Sequence, residues 1–155
     1  MFLPATIITT IIDQLAKQLA WRGFGAGDSI TVIPGFFDLR LVLNKGAAWG
    51  MFSGQRVFLV AVSSAMIVFL VRNRAELSNG WRHSGLMLGI LCGGIIGNLI
   101  DRAKLGFVID FLDFHWEGVY YFPVFNVADM AICVGIASHL VAQILLSRRE
   151  KSQQP

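Results

Sequence analysis

The stretch of sequence that decides the fold reads SGLMLGILCGGIIGNLI and occupies residues 84–100. It is apolar almost throughout, and about 20 such residues form a helix long enough to cross the hydrocarbon core of a bilayer. Glycine recurs at every fourth position, a spacing that lets two membrane helices pack backbone against backbone. We therefore predict a membrane-spanning helix with one closely packed face, formed by Gly85, Gly89, Gly93 and Gly97.

Three further stretches have the composition of membrane spans, at about residues 2–21, 52–71 and 127–146. Of the 155 residues, 55% are hydrophobic and 15% are charged, and the mean hydropathy is +0.62. Ordinary soluble domains carry about 25% charged residues, so this composition disfavours a water-soluble globule and excludes a disordered chain. Because a chain of this length usually makes one domain, we predict a single all-α membrane domain over residues 1–155 with four transmembrane helices.

The distribution of lysine and arginine predicts the orientation, because cytoplasmic loops carry an excess of both. The short connection after the second span and the C-terminal tail concentrate basic residues in a short length, whereas the basic residues of the two long connections are spread out and mostly offset by aspartate or glutamate. An even number of spans then places both termini in the cytoplasm, and the two long connections, about residues 23–51 and 101–126, face outward. The basic residues are Arg72, Arg74 and Arg82 in the connection and Arg148, Arg149 and Lys151 in the tail.

The first long connection predicts a small β-sheet on the outer membrane surface, over about residues 28–46. Pro34 followed by Gly35 is typical of a type II turn. The segment after this turn, residues 37–43, alternates partly between apolar and polar side chains, as expected for a strand with one buried face. The predicted fold is therefore a four-helix membrane protein with a small extracytoplasmic sheet between the first and second helices.

The first span contains two ionisable residues, Asp13 and Lys17. A charged residue at the centre of a membrane helix costs about 2.5–3.5 kcal/mol on insertion scales, so each one needs a reason. The two residues are four apart, in the order that favours an ion pair along a helix. We favour a self-neutralising structural pair, and the alternative is a direct chemical role.

Polar residues also stand where the third span ends and the fourth begins. Asn98 and Asp101 share a helical face, and Arg102 follows them; an arginine there also suits a simple interface anchor. Asn126 precedes the fourth span, and Asp129 lies in its first turn. That pattern is typical of a helix N-cap, with an acidic residue at the positive end of the helix dipole.

Asp110 gives Asp129 a second interpretation. It lies in the outer connection shortly before the fourth span, so the two carboxylates could meet at the outer membrane surface. Two close carboxyls share one proton, because like charges a few Å apart cannot both ionise. One carboxylate of such a dyad activates water while the other protonates the carbonyl or the leaving group. The sequence thus leaves both roles open for Asp129, a helix cap and a member of an aspartic dyad.

Other chemistry has little support in the sequence. The serine-hydrolase motif G-x-S-x-G and the zinc-protease motif H-E-x-x-H are both absent. His83, His115 and His139 are far apart and differ in predicted depth, so we expect no metal site and no cofactor. The scattered lysines and arginines form no stripe for nucleic acid. Cys92 and Cys133 both sit in apolar stretches, where cysteine behaves as a small hydrophobe.

Five short motifs, taken in order, resemble those of the bacterial lipoprotein signal peptidase family, also called signal peptidase II. Members of this family are four-helix membrane aspartic peptidases. The resemblance extends from the first span to the start of the fourth, over nearly the whole chain. The motifs are DQLAK at 13–17, NKGAAW at 44–49, GGIIGNLIDR at 93–102, VIDF at 108–111 and FNVAD at 125–129.

The resemblance implies an aspartic endopeptidase that removes signal peptides from diacylglyceryl-modified prolipoproteins, cleaving just before the lipidated cysteine. It implies that Asp110 and Asp129 are the catalytic pair. It also implies a multi-pass protein of the plasma (inner) membrane with its active site at the outer surface. Four residues match positions that hold the substrate or the active site, and three match structural positions: Asn44, Asn98, Arg102 and Asn126, and then Asp13, Lys17 and Asp101.

The expected partners are diacylated prolipoproteins and membrane lipids, with no nucleic acid and no metal, and the protein is expected to be a monomer. One alternative is a small four-helix transporter that couples to protons through Asp13. The two long outer connections of this chain and the pairing of Asp13 with Lys17 argue against a transporter. A second alternative is a membrane assembly factor that uses its glycine-rich face to dock another protein.

Overall fold

The computed structural model describes residues 1–25, 28–78, 83–116 and 118–152, without the side chains of residues 149–152. The described residues form five helices and four strands. A short 3-10 turn, Ala48–Gly50, follows the second strand. In chain order the elements are α1 (Phe2–Gly23), β1 (Ser29–Ile33), β2 (Phe37–Asn44), α2 (Arg56–Arg72), α3 (Arg74–Leu77), α4 (Ser84–Lys104), β3 (Val108–Trp116), β4 (Tyr120–Tyr121) and α5 (Val127–Ser152).

Four of the helices, α1, α2, α4 and α5, correspond to the four predicted spans. Their bounds differ from the prediction at several ends: α4 and α5 extend beyond residues 100 and 146, and α2 begins at Arg56 instead of near residue 52. The chain turns before α2, and Phe52 and Gly54 both adopt positive φ there, at 57° and 82°. Such angles are incompatible with a helix, so α2 begins only after this turn, at Arg56.

Two of the described helices, over Ser84–Lys104 and Val127–Arg148, are long and apolar enough to cross a membrane. α2 has only 17 residues, and α1 contains the charged side chains of Asp13 and Lys17. The number of spans therefore remains a prediction. The outward faces of α1 and α2 are nevertheless apolar and exposed, as Leu19 at 73% and Val57 at 83% illustrate.

The helix α4 packs against α1, α2 and α5 and forms the centre of the bundle. Three of the four predicted glycines lie against α1: a Cβ added to Gly93 would stand 2.7 Å from the carbonyl oxygen of Thr6, and Gly89 and Gly97 leave as little room. Gly85 differs, because a Cβ there would meet nothing closer than a serine oxygen at 3.9 Å. The close-packed glycine face is thus confirmed for the outer three glycines of α4.

The sheet is antiparallel, and its strands lie in the order β1, β2, β3, β4. Strands β1 and β2 confirm the sheet predicted over residues 28–46. Strands β3 and β4 come from the second long connection, between α4 and α5. The prediction that the sheet lies solely between the first two long helices was therefore wrong. In the pairing of β2 with β3, Val42 stands opposite Asp110, so the sheet presents Asp110 from its central region.

A small apolar cluster fixes the sheet to the end of α1. It contains Ala20 of α1, Leu41 of β2, and Ile109 and Phe111 of β3, all of which are buried. Ile109 and Phe111 flank Asp110 on the same strand. Because both neighbours are held in this cluster, the backbone of Asp110 has a fixed position relative to the helices.

Candidate active site

Asp110 and Asp129 belong to one site, because Asn126 bonds to both. The side-chain amide of Asn126 donates to Asp110 Oδ1 at 2.6 Å, and its backbone N–H donates to Asp129 Oδ2 at 3.1 Å. Asp110 is buried, with 1% of its surface exposed, and Asp129 is half-buried. The structure thereby brings together the two carboxyls that lie nineteen residues apart in the sequence.

Two further asparagines complete the hydrogen bonds of the carboxyls. Asn44 at the end of β2 donates to Asp110 Oδ2 at 2.9 Å, and Asn98 of α4 donates to Asp129 Oδ1 at 2.8 Å. Each of the four carboxyl oxygens therefore accepts one N–H. Such bonds hold the carboxyls in a single orientation, which a reaction with a fixed substrate geometry requires.

The local sequence explains how Asp129 is positioned. Asn126 Oδ1 accepts a hydrogen bond from the backbone N–H of Asp129 at 2.9 Å, while Asp129 Oδ2 accepts from the backbone N–H of Asn126. This is a reciprocal N-terminal cap of α5. The two interpretations of Asp129 are thus compatible, because one oxygen caps the helix and the other accepts a hydrogen bond from Asn98.

The surroundings of Asp110 strongly perturb its pKa. Burial raises the pKa of Asp110 from its ordinary value of 3.8 to about 7, and the negative charge of Asp129 adds to the rise. The hydrogen bonds from Asn44 and Asn126 favour the ionised form, so they lower the pKa and offset part of this rise. A pKa of about 7 keeps a substantial share of Asp110 protonated at neutral pH, as the acidic member of a dyad requires.

A buried charge cluster stands beside the carboxyls. Lys17 Nζ lies 2.9 Å from Asp13 Oδ2 and 3.0 Å from Asp101 Oδ2, and all three residues are 3% exposed or less. The predicted pair of Asp13 and Lys17 is thus confirmed as an ion pair and extended by Asp101. A buried charge without a partner is strongly destabilising, so replacing Lys17 would leave two buried carboxylates without their cation.

The charge cluster also orients the site. Lys17 donates to Asn98 Oδ1 at 2.8 Å, which turns the amide N–H₂ of Asn98 toward Asp129. Asp13 accepts from the backbone N–H of Ala128 at 2.8 Å, and Asp101 accepts from that of Ile109 at 3.2 Å. Ala128 and Ile109 each directly precede a residue of the carboxyl pair. Asp13 and Asp101 therefore hold the backbone on both sides of the site, and Lys17 links them to each other and to Asn98.

Arg102 does not bond to either carboxyl among the hydrogen bonds within the described residues. Its Nη2 donates to the carbonyl oxygen of Gly46 at 2.9 Å, while its buried Nε has no partner in this part of the chain. Gly46 in turn donates its N–H to Asn44 Oδ1 at 2.9 Å. Arg102 and Asn44 therefore hold the loop between β2 and α2 over the site.

Arg56 is a contributor that the sequence did not reveal. Its Nε donates to the carbonyl oxygen of Arg102 at 2.8 Å, and its Nη2 donates to that of Ala103 at 2.6 Å. Arginine at a helix C-terminus satisfies carbonyls that the helix leaves free. No local pattern indicates this contact, since the partners lie 46 and 47 residues away.

A cavity of about 1170 Å³ opens beside the carboxyl pair and descends between α2, α4 and α5. Asp110, Asp129, Asn98 and Arg102 line its outer end. The deeper walls are almost entirely apolar, with side chains of Val62, Met66, Leu91, Ile95, Ile132 and Ile136. Such a cavity accepts a ligand with a polar end at the carboxyls and an apolar end between the helices.

The described residues contain no group of three or more His, Cys, Asp or Glu side chains that could hold a metal ion. His115 lies in the sheet, with Nδ1 at 3.7 Å from Asp113 Oδ1. Asp113 also lies 3.7 Å from Arg40 and is directed to these partners, away from the carboxyl pair. The nearest other carboxylate on β3 is therefore engaged outside the site.

Comparison with known proteins identifies what the chain is similar to. Residues 5–145 match the family model described as signal peptidase (SPase) II. The lipoprotein signal peptidase of Syntrophotalea carbinolica is 40% identical over 146 residues, which cover 92% of this chain and 89% of the relative. That of Bacillus subtilis is 35% identical over 155 residues and covers 99% of both chains. A solved structure of a bacterial membrane enzyme superposes with a TM-score of 0.86 at 29% identity, covering 97% of this chain and 91% of that chain.

Proposed function

Because the chain belongs to the signal peptidase II family, we propose that Asp110 and Asp129 are the catalytic pair with which it hydrolyses its substrate. The chain is a peptidase that removes signal peptides from prolipoproteins, in agreement with the lipoprotein signal peptidases to which it is similar. The observation that supports the catalytic assignment is the double contact of Asn126, which bonds to both carboxyls. Neither the transporter nor the assembly factor explains that arrangement.

The two aspartates divide the acid and base roles. With a pKa of about 7, Asp110 is available in its protonated form at neutral pH, and in that form it donates a hydrogen bond to the carbonyl oxygen of the scissile peptide. Asp129 removes a proton from a water molecule, whose oxygen attacks the carbonyl carbon while the carbonyl oxygen takes the proton of Asp110. In the second step Asp129 gives its new proton to the leaving nitrogen, the C–N bond breaks, and Asp110 recovers a proton from the tetrahedral intermediate.

Asn44, Asn98 and Asn126 position the carboxyls in this mechanism, and Arg102 holds the loop that covers them. Asn98 contributes through Lys17, which fixes the direction of its amide. The structural residues Asp13, Lys17 and Asp101 therefore act on the reaction indirectly, by fixing the ends of α5 and β3.

The proposed substrate is a diacylglyceryl-modified prolipoprotein, cleaved before the lipidated cysteine. The supporting observation is the apolar cavity, which begins at the carboxyls and continues between the helices. Transfer of acyl chains into such a cavity contributes about 0.8 kcal/mol per buried CH₂. A peptide without the lipid forgoes that contribution. The proton-coupled transporter finds no support, since both carboxyl oxygens of Asp13 are occupied by Lys17 and by the N–H of Ala128.

We also propose a multi-pass arrangement of one domain in the plasma (inner) membrane, with four spans and both termini in the cytoplasm. The carboxyl pair lies at the N-terminal end of α5 and near the C-terminal end of α4, whereas Arg72 and Arg74 lie at the other end of the bundle. That separation agrees with basic residues inside and the active site outside. Arg82 lies outside the described residues, as do the side chains of Arg149 and Lys151. The protein is proposed to act as a monomer.

Incubation of the purified protein with a diacylated prolipoprotein tests this function. Release of the signal peptide is expected, and the same prolipoprotein without its lipid should be a far poorer substrate. Equal cleavage of both forms would contradict the proposed role of the apolar cavity. Absence of cleavage of the lipidated form would contradict the function itself.

A further inference from the structure

Ser63 is a hydroxyl on an otherwise apolar wall. It belongs to α2 and lines the cavity below the carboxyl pair, among Val62, Met66, Ile95 and Ile132. Its side chain is half-buried. Since these neighbours carry no hydroxyl, amide or charged group, the hydroxyl interrupts a surface that would otherwise suit hydrocarbon.

The adjacent serine shows what Ser63 lacks. Ser64 donates a hydrogen bond to the carbonyl oxygen of Val60 at 2.8 Å, the usual way in which a membrane helix satisfies a hydroxyl. Ser63 makes no such bond to any residue in the described part of the chain. A hydroxyl without a partner in an apolar environment costs free energy. Ser63 is therefore a free donor that a ligand in the cavity can satisfy.

The depth of Ser63 can be read along the helices. It is seven residues from Arg56, or about 10 Å along the axis, and Arg56 bonds to the carbonyls at the outer end of α4. Asn98, which donates to Asp129, lies about one helical turn below that end. Ser63 thus faces the cavity roughly one turn deeper than the carboxyl pair.

A lipidated cysteine substrate carries acceptors at this depth. Its ester groups are separated from the scissile bond only by the cysteine side chain, the thioether sulfur and the glyceryl carbons. This linker spans at most roughly two helical turns when extended, so in a bent conformation it places an ester at the depth of Ser63. Beyond the ester carbonyls, the acyl chains contain no acceptor at all. The ester carbonyls are the strongest acceptors of the lipid part of the substrate, so they are the groups that Ser63 can bond there.

We propose that Ser63 Oγ donates a hydrogen bond to an ester carbonyl of the diacylglyceryl group and makes the enzyme prefer ester-linked lipid to ether-linked lipid. This inference rests on the proposed function, in which the lipid enters the cavity. An ether analogue of the same length fills the same apolar space but offers no carbonyl. Ser63 is then a specificity-determining residue for the lipid part of the substrate.

Paired substrates test the inference. Two prolipopeptides with identical sequences and chain lengths, one diacylated and one dialkylated through ethers, are cleaved by the wild-type protein and by Ser63→Ala. We expect a wild-type preference for the ester of about three- to tenfold in kcat/KM, as one neutral hydrogen bond provides, expressed mainly in KM. The preference should disappear in Ser63→Ala, and Ser63→Thr, which keeps the hydroxyl, should restore part of it.

Ser64→Ala is the matched control, because its hydroxyl is already bonded within the helix, and it should keep the wild-type preference. An unchanged ester preference in Ser63→Ala, an equal loss on both substrates, or no preference in the wild type would overturn the inference. Each of those outcomes leaves the proposed function intact, since it requires cleavage of lipidated substrate. Failure of the wild type to cleave either substrate would instead refute the proposed function and the inference together.

Discussion

Asp110→Asn should change the stability of the protein in a pH-dependent manner, with the variant gaining on the wild type as the pH rises. Burial and the charge of Asp129 raise the pKa of Asp110 to about 7, against an ordinary value of 3.8. The unfolded chain therefore ionises this carboxyl at lower pH than the folded chain does. Each pH unit between the two values lowers the folding stability by about 1.4 kcal/mol, and the penalty reaches roughly 4 kcal/mol above pH 7.

Asparagine carries no such penalty, so the difference between the variant and the wild type should grow with pH. At pH 5 the ionisation penalty is roughly 1.5 kcal/mol and at pH 8 it is complete, which leaves a change of roughly 3 kcal/mol between the two conditions. The amide of the variant also faces the donor groups of Asn44 and Asn126. That cost is the same at both pH values and cancels in the comparison.

Thermal unfolding in detergent measures this change. By the scaling of globular domains of this size, roughly 3 kcal/mol corresponds to about 6–12 °C. The quantity to compare is the melting temperature of Asp110→Asn minus that of the wild type. We expect this difference to be larger at pH 8 than at pH 5 by that amount. A difference that does not vary with pH would refute the raised pKa, and with it the assignment of the shared proton to Asp110.

Three other predictions address packing, topology and metal dependence. Gly93→Leu should lower the melting temperature, since overpacking costs about 1–3 kcal/mol and a Cβ there already stands 2.7 Å from the carbonyl oxygen of Thr6. Gly85→Leu is the control, because a Cβ at that position meets nothing closer than 3.9 Å. Equal melting temperatures of the two variants would be inconsistent with the packing of α4 on α1. A reporter enzyme fused after Pro155 should be active only if it functions in the cytoplasm, and activity of an export-dependent reporter would contradict the orientation. EDTA should leave cleavage unchanged, because the two carboxyls supply the acid and the base; loss of activity with recovery on adding zinc would argue against the aspartic mechanism.

Features that repeat at short range could be predicted from the sequence. The apolar stretches gave the four long helices, the glycine spacing gave the close face of α4, and the i,i+4 spacing gave the pair of Asp13 and Lys17. The hairpin around Pro34 and Gly35 was also predictable, because its turn residues require particular backbone angles. In each case the pattern that supports the prediction lies within one short stretch of sequence, even where the partner, as for Gly93 and Thr6, is distant.

Features that depend on distant residues could not be predicted in this way. Strand β3 was missed, since Asp110 and Asp113 interrupt its apolar pattern, and both are buried only because β2 and the helices cover them. Asn44 meets Asp110 across 66 residues, and Arg56 meets the end of α4 across 46. The sequence marks such polar residues as costly, but only the folded chain determines which of them meet. The resemblance to a family supplied the catalytic pair that spacing alone left open.

The most direct test of the central claim is the cleavage rate of a diacylated prolipoprotein by Asp110→Asn, Asp129→Asn and Asp113→Asn. The first two keep the shape of the side chain but cannot exchange the proton. The third alters a buried aspartate on the same strand as Asp110, paired with Arg40 and His115 outside the site. We predict that each of the first two variants loses at least about 10²–10⁴-fold in rate, the usual contribution of acid–base catalysis, while inserting and folding normally, and that Asp113→Asn keeps most activity. A near wild-type rate in either Asp110→Asn or Asp129→Asn, or an inactive Asp113→Asn, would contradict the assignment.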